Sequence, residues 1–341
     1  MKIFLASLFA VCFFVSTAFA SETILASNHK PEKNFRADGH APISIMGDHL
    51  HRKGEWMLSY RYRLMRMTEN RVGHHQISNA GVLQNYLVTP TDMTSQMHML
   101  GMMYAPTDDL TLMLGLPIIR KDMNHRTRTG LTFETHSNGV GDLKLTGLYS
   151  LFKNANHRVH LNAGMSAPIG DIDVHGDLPT GPNQRLPYPM QLGSGTWDLL
   201  PGLTYVGHSD DFSWGLQGLA TIRPGRNRIG YALGNQYEVT TWGSYSWFES
   251  LSQSIGFKYS IWENITGRDA SLNPNMVPTA DPNSRGGKRI DLLAGFNYVV
   301  PRGYLEGNRL AIDFGFPIMQ SLDGPQLETD WYFTAGWQFA F

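Results

Sequence analysis

The sequence predicts an all-β fold: a transmembrane antiparallel up-and-down β-barrel of about twelve strands, with short periplasmic turns and long extracellular loops. Three observations predict it. Apolar and polar residues alternate with period two from Gly54 onward, aromatic rings gather near the ends of the alternating segments, and connections are alternately short and long. A soluble sandwich also alternates, but it has no reason to lengthen every second loop. Nor does it need rings such as Trp56, Tyr104, Trp214, Trp247, Tyr298 and Trp331 at segment ends, where interfacial girdles lie.

The elements follow in chain order. Lys2, the apolar run from Ile3 to Val15 and the small-x-small site Ala18-Phe19-Ala20 read as a cleaved signal peptide, 1–20. That run is shorter than the roughly 20 apolar residues of a helical span. Residues 21–53 are polar and lack periodicity, with Pro31, Gly39, Pro42 and Gly47. They form a periplasmic N-terminal segment, in the simpler expectation a hanging tail. The alternative is a plug folded back into the lumen, for which Ala41 to Met46 is apolar enough. The barrel is expected over 54–341.

Its strands are expected near 54–67, 95–106, 110–122, 139–152, 157–167, 196–208, 212–223, 235–248, 251–263, 288–300, 308–316 and 326–341. In the first, Trp56, Leu58, Tyr60, Tyr62 and Leu64 oppose Met57, Ser59, Arg61, Arg63 and Met65. In the last, Trp331, Phe333, Ala335, Trp337, Phe339 and Phe341 form one face. Pro117, Pro168 and Pro317 are placed at extracellular strand ends, and Pro201 beside Gly202 predicts a bulge or kink. The sole cysteine, Cys12, lies in the leader, so no disulfide is expected. A net charge of -1 without a basic stripe argues against nucleic acid as a partner.

Several stretches resemble a family of bacterial outer-membrane transporter barrels assigned to the MetA pathway of phenol degradation. They are His40-Ala41-Pro42, Met46-Gly47-Asp48-His49, Lys53-Gly54-Glu55-Trp56-Met57, Gly139-Val140-Gly141-Asp142, Leu186-Pro187-Tyr188-Pro189-Met190-Gln191-Leu192-Gly193-Ser194-Gly195 and Leu322-Asp323-Gly324-Pro325-Gln326. The resemblance covers nearly all of the chain after the leader. It implies transport of a small solute, hydrophobic or aromatic in class, across the cell outer membrane, and carries no site residues over. The aromatic last strand ending at Phe341 resembles the signal read by the barrel-assembly machinery, which with outer-membrane lipid and the solute completes the expected partners.

If the apolar faces meet lipid, the lumen is lined by Arg61, Arg63, Asp142, Lys144, Arg158, His160, Asp198, Glu238, Lys258, Arg289, Asp291, Arg309 and Asp313. Mixed charges in a narrow interior form a structural network, a selective solute path, or both. Met and His are concentrated before residue 125, and parity turns Met57, Met65, Met67, Met97, Met99, Met103 and Met113 inward. Thioethers and imidazoles suit copper, which makes Met97, Met99, Met103, His49 and His51 candidate metal ligands. Met is equally a flexible apolar filler, and no resident cofactor is otherwise expected. An outer-membrane lipid hydrolase would need a Ser and a His in reach of one another. His160 and His208 show no such partner pattern, so the expectation is a barrel that is not an enzyme.

Overall fold

The computed structural model describes residues 36–341; the expected signal peptide, 1–20, and the segment from 21 to 35 lie outside the described residues. Eleven hydrogen-bonded strands form a closed antiparallel ring: Trp56–Gly73, Val88–Thr107, Leu110–Thr127, Leu143–Lys153, His157–Ala167, Asp198–His208, Phe212–Thr221, Gln236–Phe248, Leu251–Trp262, Gly287–Val299 and Arg309–Ala340. A ring in which every neighbour is antiparallel needs an even number of crossings. The last strand supplies the extra one.

That strand is 32 residues long, and it pairs through Arg309 to Leu322 with Gly287–Val299 and through Leu322 to Ala340 with Trp56–Gly73. Gly324, at φ +76°, lies where the chain reverses. The two halves lie side by side, with the Phe314 and Phe333 rings 4.8 Å apart and Gln320 Nε2 donating to Thr329 O at 2.9 Å. Eleven strands, one crossing twice, therefore make twelve passes. Trp56 and Phe341 exchange both backbone hydrogen bonds, at 2.9 and 2.8 Å, where the last pass meets the first.

Alternation places the side chains as expected. Leu58, Tyr60, Leu203, Ile255 and Phe316 are exposed on the outer face, whereas Met57, Ser59 and Arg61 are buried inside. The strand ends differ from expectation in a consistent way. Trp56–Gly73, Val88–Thr107 and Leu110–Thr127 run past their expected ends, and Thr132–Val140 pairs with the last of these where a loop over 123–138 was expected. Beyond the lipid both faces of a ladder are in water, so the apolar half of the alternation disappears while the backbone pairing persists. The expected loop at 317–325 is likewise reduced to a turn. The long connections that remain are 168–197, 222–235 and 263–286, with 74–87 carrying the helix Asn79–Asn85.

Two prolines expected at strand ends sit inside strands, each beside an irregularity. Pro117 lies in Leu110–Thr127, where its partner shifts from Thr132–Val140 to Leu143–Lys153 across Gly141 and Asp142. Pro317 pairs with Asp291 at a register shift. A missing N–H is tolerated where the ladder is already interrupted. Pro168 directly follows His157–Ala167. At Pro201 the register is unshifted on both sides: it pairs with Ala163, and Gly202–Leu219 and the isolated bridge Leu199–Ile222 keep one register across the interruption, so the expected bulge does not form.

Residues 36–53 lie inside the ring at its short-turn end. An irregular segment within a barrel must satisfy its peptide groups from the wall. Arg309 Nη2 donates to Ala41 O at 2.7 Å, Arg61 Nε to Ile43 O at 3.0 Å, and Gln217 Nε2 to Met46 O at 3.0 Å. Asn162 Nδ2 and His160 Nε2 both reach Gly47 O, at 3.0 and 2.9 Å. Ala41 and Ile45 pack on Trp242. Ile43 fits over Gly336, where a Cβ would come within 2.6 Å of it.

Candidate functional site, a methionine-lined cavity

In the long-loop half of the lumen lies a cavity of 590 Å³, within the range usual for small-molecule sites. Its wall includes Met65, Met67, Met93, Met97, Met99 and Met123, contributed by the first three passes. Parity explains the grouping: Met65 and Met67, and likewise Met93, Met97 and Met99, are separated by even numbers of residues, so each set shares a face. Met93 and Met123, a cross-strand pair, are buried with Leu186 and Met190 of the inward-folded loop 168–197.

That loop closes much of the cavity. Lys121 Nζ donates to Pro189 O at 2.7 Å and Gln191 O at 2.6 Å. Asp142 accepts from Gly170 N at 2.9 Å, Ser194 N at 2.7 Å and Ser194 Oγ at 2.8 Å. The Tyr188 ring meets Tyr231 edge-on at 5.0 Å, and its hydroxyl accepts from Asp269 N at 2.9 Å, joining three loops. Burial pushes the Tyr231 phenol up to about 12 and the Arg285 guanidinium down to about 10. Both keep their ordinary charge states at neutral pH.

A charged layer separates the cavity from segment 36–53. Arg289 lines the cavity, and its Nε lies 2.8 Å from Asp291 Oδ1. Tyr332 donates its hydroxyl to Asp291 at 2.9 Å. Lys258 Nζ stands 3.8 Å from Asp291 and 3.7 Å from Glu238. Arg63 lies 4.4 Å over the Tyr332 ring, an arrangement that adds cation–π attraction. Asp313, two positions along the face, accepts from Ser44 of the inner segment. Cations and carboxylates are matched through the layer.

The thirteen residues expected to line the lumen thus divide by height. Arg63, Glu238, Lys258, Arg289, Asp291 and Asp313 form the charged layer. Asp142, Lys144 and Asp198 line the cavity, Asp198 also accepting from Thr196 Oγ1 at 2.6 Å and Arg223 Nε at 3.2 Å. Arg61, His160 and Arg309 bind the inner segment. Arg158 is exposed, in a cleft with Leu50 and Glu55 at the short-turn end.

The candidate metal ligands are not brought to one point. Met97 and Met99 line the cavity, Met103 packs with Met57 and Leu148, and His49 and His51 lie in the inner segment, ring centroids 4.9 Å apart. Sequence reasoning passed over the contribution of Leu186, Tyr188, Met190 and Gln191 to the cavity, and the role of Tyr332. Their signal was present in the unusual Leu186-Pro187-Tyr188-Pro189-Met190 run, which is too apolar for an outer loop left in water.

No protein-family model matches the sequence, and no curated protein does. Among solved structures, an outer membrane channel of Pseudomonas putida F1 is similar at 15% identity and a TM-score of 0.59, over 87% of this chain and 99% of that one. A Pseudomonas aeruginosa FadL homologue is more distant, at 10% identity and a TM-score of 0.44 over 84% of this chain and 90% of that one. So is the P. putida toluene transporter TodX, at 10% identity and 0.43 over 85% and 91%. The first likeness, like the geometry, is one of fold: the chain is a closed antiparallel β-barrel.

Proposed function

We propose that this protein is an outer-membrane channel for small hydrophobic or aromatic solutes, with the methionine-lined cavity as their binding station and segment 36–53 as a plug beneath it. The observation that carries this reading is the cavity wall. Six thioether side chains offer a flexible, polarizable surface that adapts to apolar and aromatic molecules, and the charged Lys121, Asp142 and Asp198 of the same wall are engaged by hydrogen bonds within it. The charged layer below then favours a solute that is held and passed on over an ion that flows freely. The long-loop end faces outward in this reading, with the last strand as the element recognised for assembly into the membrane. His160, weighed above as a hydrolase base, is engaged with Gly47 O beneath the cavity.

The test is binding and uptake. Purified barrel in detergent should bind naphthalene, and cells expressing it should take up labelled toluene faster than cells without it. Met97→Gln with Met99→Gln should reduce both several-fold. A barrel that binds neither compound, or whose uptake ignores these changes, overturns the reading. A second reading, handling of copper, is favoured by the same six thioethers in one cavity, since soft ligands suit Cu(I). Titration of the same variants with Cu(I) separates the two.

A further inference from the structure

The plug contains a group of side chains that solute transport leaves unused. His40 Nδ1 and His49 Nδ1 face each other at 3.2 Å. Asp48 Oδ1 lies 2.9 Å from His49 Nδ1, and Asp48 Oδ2 lies 3.9 Å from His40 Nδ1. Two ring nitrogens and a carboxylate thus converge on one small volume. We propose that His40, Asp48 and His49 form a binding site for a first-row divalent cation, zinc above all, which clips the plug closed on itself.

The spacing is that of a coordination sphere. Ligand atoms about 2.0–2.1 Å from a tetrahedral zinc ion stand roughly 3.3 Å from one another. His40 Nδ1 and His49 Nδ1 are at that edge, and one atom from each of the three residues lies within 4.8 Å of the others, so a small turn of the Asp48 carboxylate completes the set. The chemistry also fits. Two imidazoles and one carboxylate are a common zinc set that leaves a fourth position for water or an incoming ligand. A hydrogen-bonded network accounts for the convergence less well. The two facing nitrogens can share at most one proton donated toward Asp48, whereas a cation uses all three lone pairs.

Burial and access are appropriate as well. The Asp48 side chain is 4% exposed and that of His49 11%, but the His40 side chain keeps 27%, which opens a path for the ion. Asp48 is held in place from the other side, because Ala41 N donates to its Oδ2 at 2.8 Å. The ring of His51 stands edge-on to His49, and its Nδ1 lies 3.5 Å from Glu55 Oε2, so a further carboxylate and imidazole flank the site.

The consequence follows from where the ligands sit in the chain. His40 precedes Ala41, Ile43, Met46 and Gly47, whose carbonyls take the hydrogen bonds of the barrel wall, and Asp48 and His49 follow them. A cation joining the two ends closes this loop in its docked shape. Because the ion binds the folded loop and not a released one, its binding free energy is added to docking.

The experiment measures metal on the full barrel in detergent with any affinity tag removed. Wild type, stripped with chelator and dialysed against micromolar zinc, should retain one zinc per chain by elemental analysis. It should also give the visible absorption of a tetrahedral site with cobalt. Asp48→Asn, which can still accept from Ala41 N, should weaken zinc binding by more than about tenfold, as should His40→Ala with His49→Ala. Both should still migrate as heat-modifiable barrels, since no strand residue is altered. Met97→Leu with Met99→Leu should bind zinc like wild type. Retention by wild type no greater than by the His40→Ala, His49→Ala variant overturns the proposal, as does equal loss in the methionine variant. Metal content is read independently of transport, so the solute assignment and this site stand or fall separately.

Discussion

Asp291 is the residue on which the charged layer turns. Its side chain is wholly buried and meets Arg289, Lys258 and the Tyr332 hydroxyl at once. Removing one member of a buried ionic group leaves the others uncompensated, which costs about 3–5 kcal/mol. Asp291→Ala should therefore lower the midpoint of urea unfolding in lipid vesicles markedly, and Glu238→Ala, whose side chain is partly exposed and lacks a partner as close as Arg289 is to Asp291, should lower it less. Equal midpoints for Asp291→Ala and wild type would show the layer to be solvated rather than paired. Lys121 acts at the same scale on the cavity roof. Its two hydrogen bonds to Pro189 O and Gln191 O are charge-assisted, worth roughly 1.5–3 kcal/mol each. Lys121→Met should free the 186–193 run, seen as faster protease cleavage there with the strands intact.

Among the elements, strands and inserted segments differ in how far sequence reveals them. Trp56–Gly73 was legible because lipid outside and water or protein inside impose opposite demands on alternate residues, and its inward Met57, Ser59 and Arg61 follow from parity alone. Its upper part from Thr68 to Gly73 was not, because water on both faces removes that contrast. The plug is harder still. Its docking rests on carbonyls of Ala41, Ile43, Met46 and Gly47, and backbone acceptors look the same in every sequence. The inward turn of 186–193 likewise depends on Lys121 and Asp142, far away in the chain. One substitution tests the docking directly. Gly336 leaves room for Ile43, and Gly336→Leu would fill it, since even a Cβ there lies 2.6 Å from Ile43 Cγ1. This variant should loosen the plug without deleting it, giving flickering conductance in planar bilayers where wild type is quiet.

For the whole molecule, the plug and the barrel wall share hydrogen bonds, but the ring of strands closes without the plug. Deleting 36–53 should leave a folded barrel and open a steady conductance, with wild type closed under the same conditions. A closed deletion variant would place the barrier in the charged layer instead. The sequence by itself determined the barrel, its even number of passes, the lipid-facing and lumen-facing sides, and the inward Met65, Met67, Met97 and Met99. Each of these follows from a period-two pattern imposed by two different solvents, a local property that survives without knowledge of neighbours. Only the tertiary structure decided what occupies the lumen. It brought His40 to His49, Lys121 to Pro189 and Tyr332 to Asp291, because those contacts depend on how irregular segments fold back and on which side chains of separate strands meet inside the ring. No periodicity records such a contact.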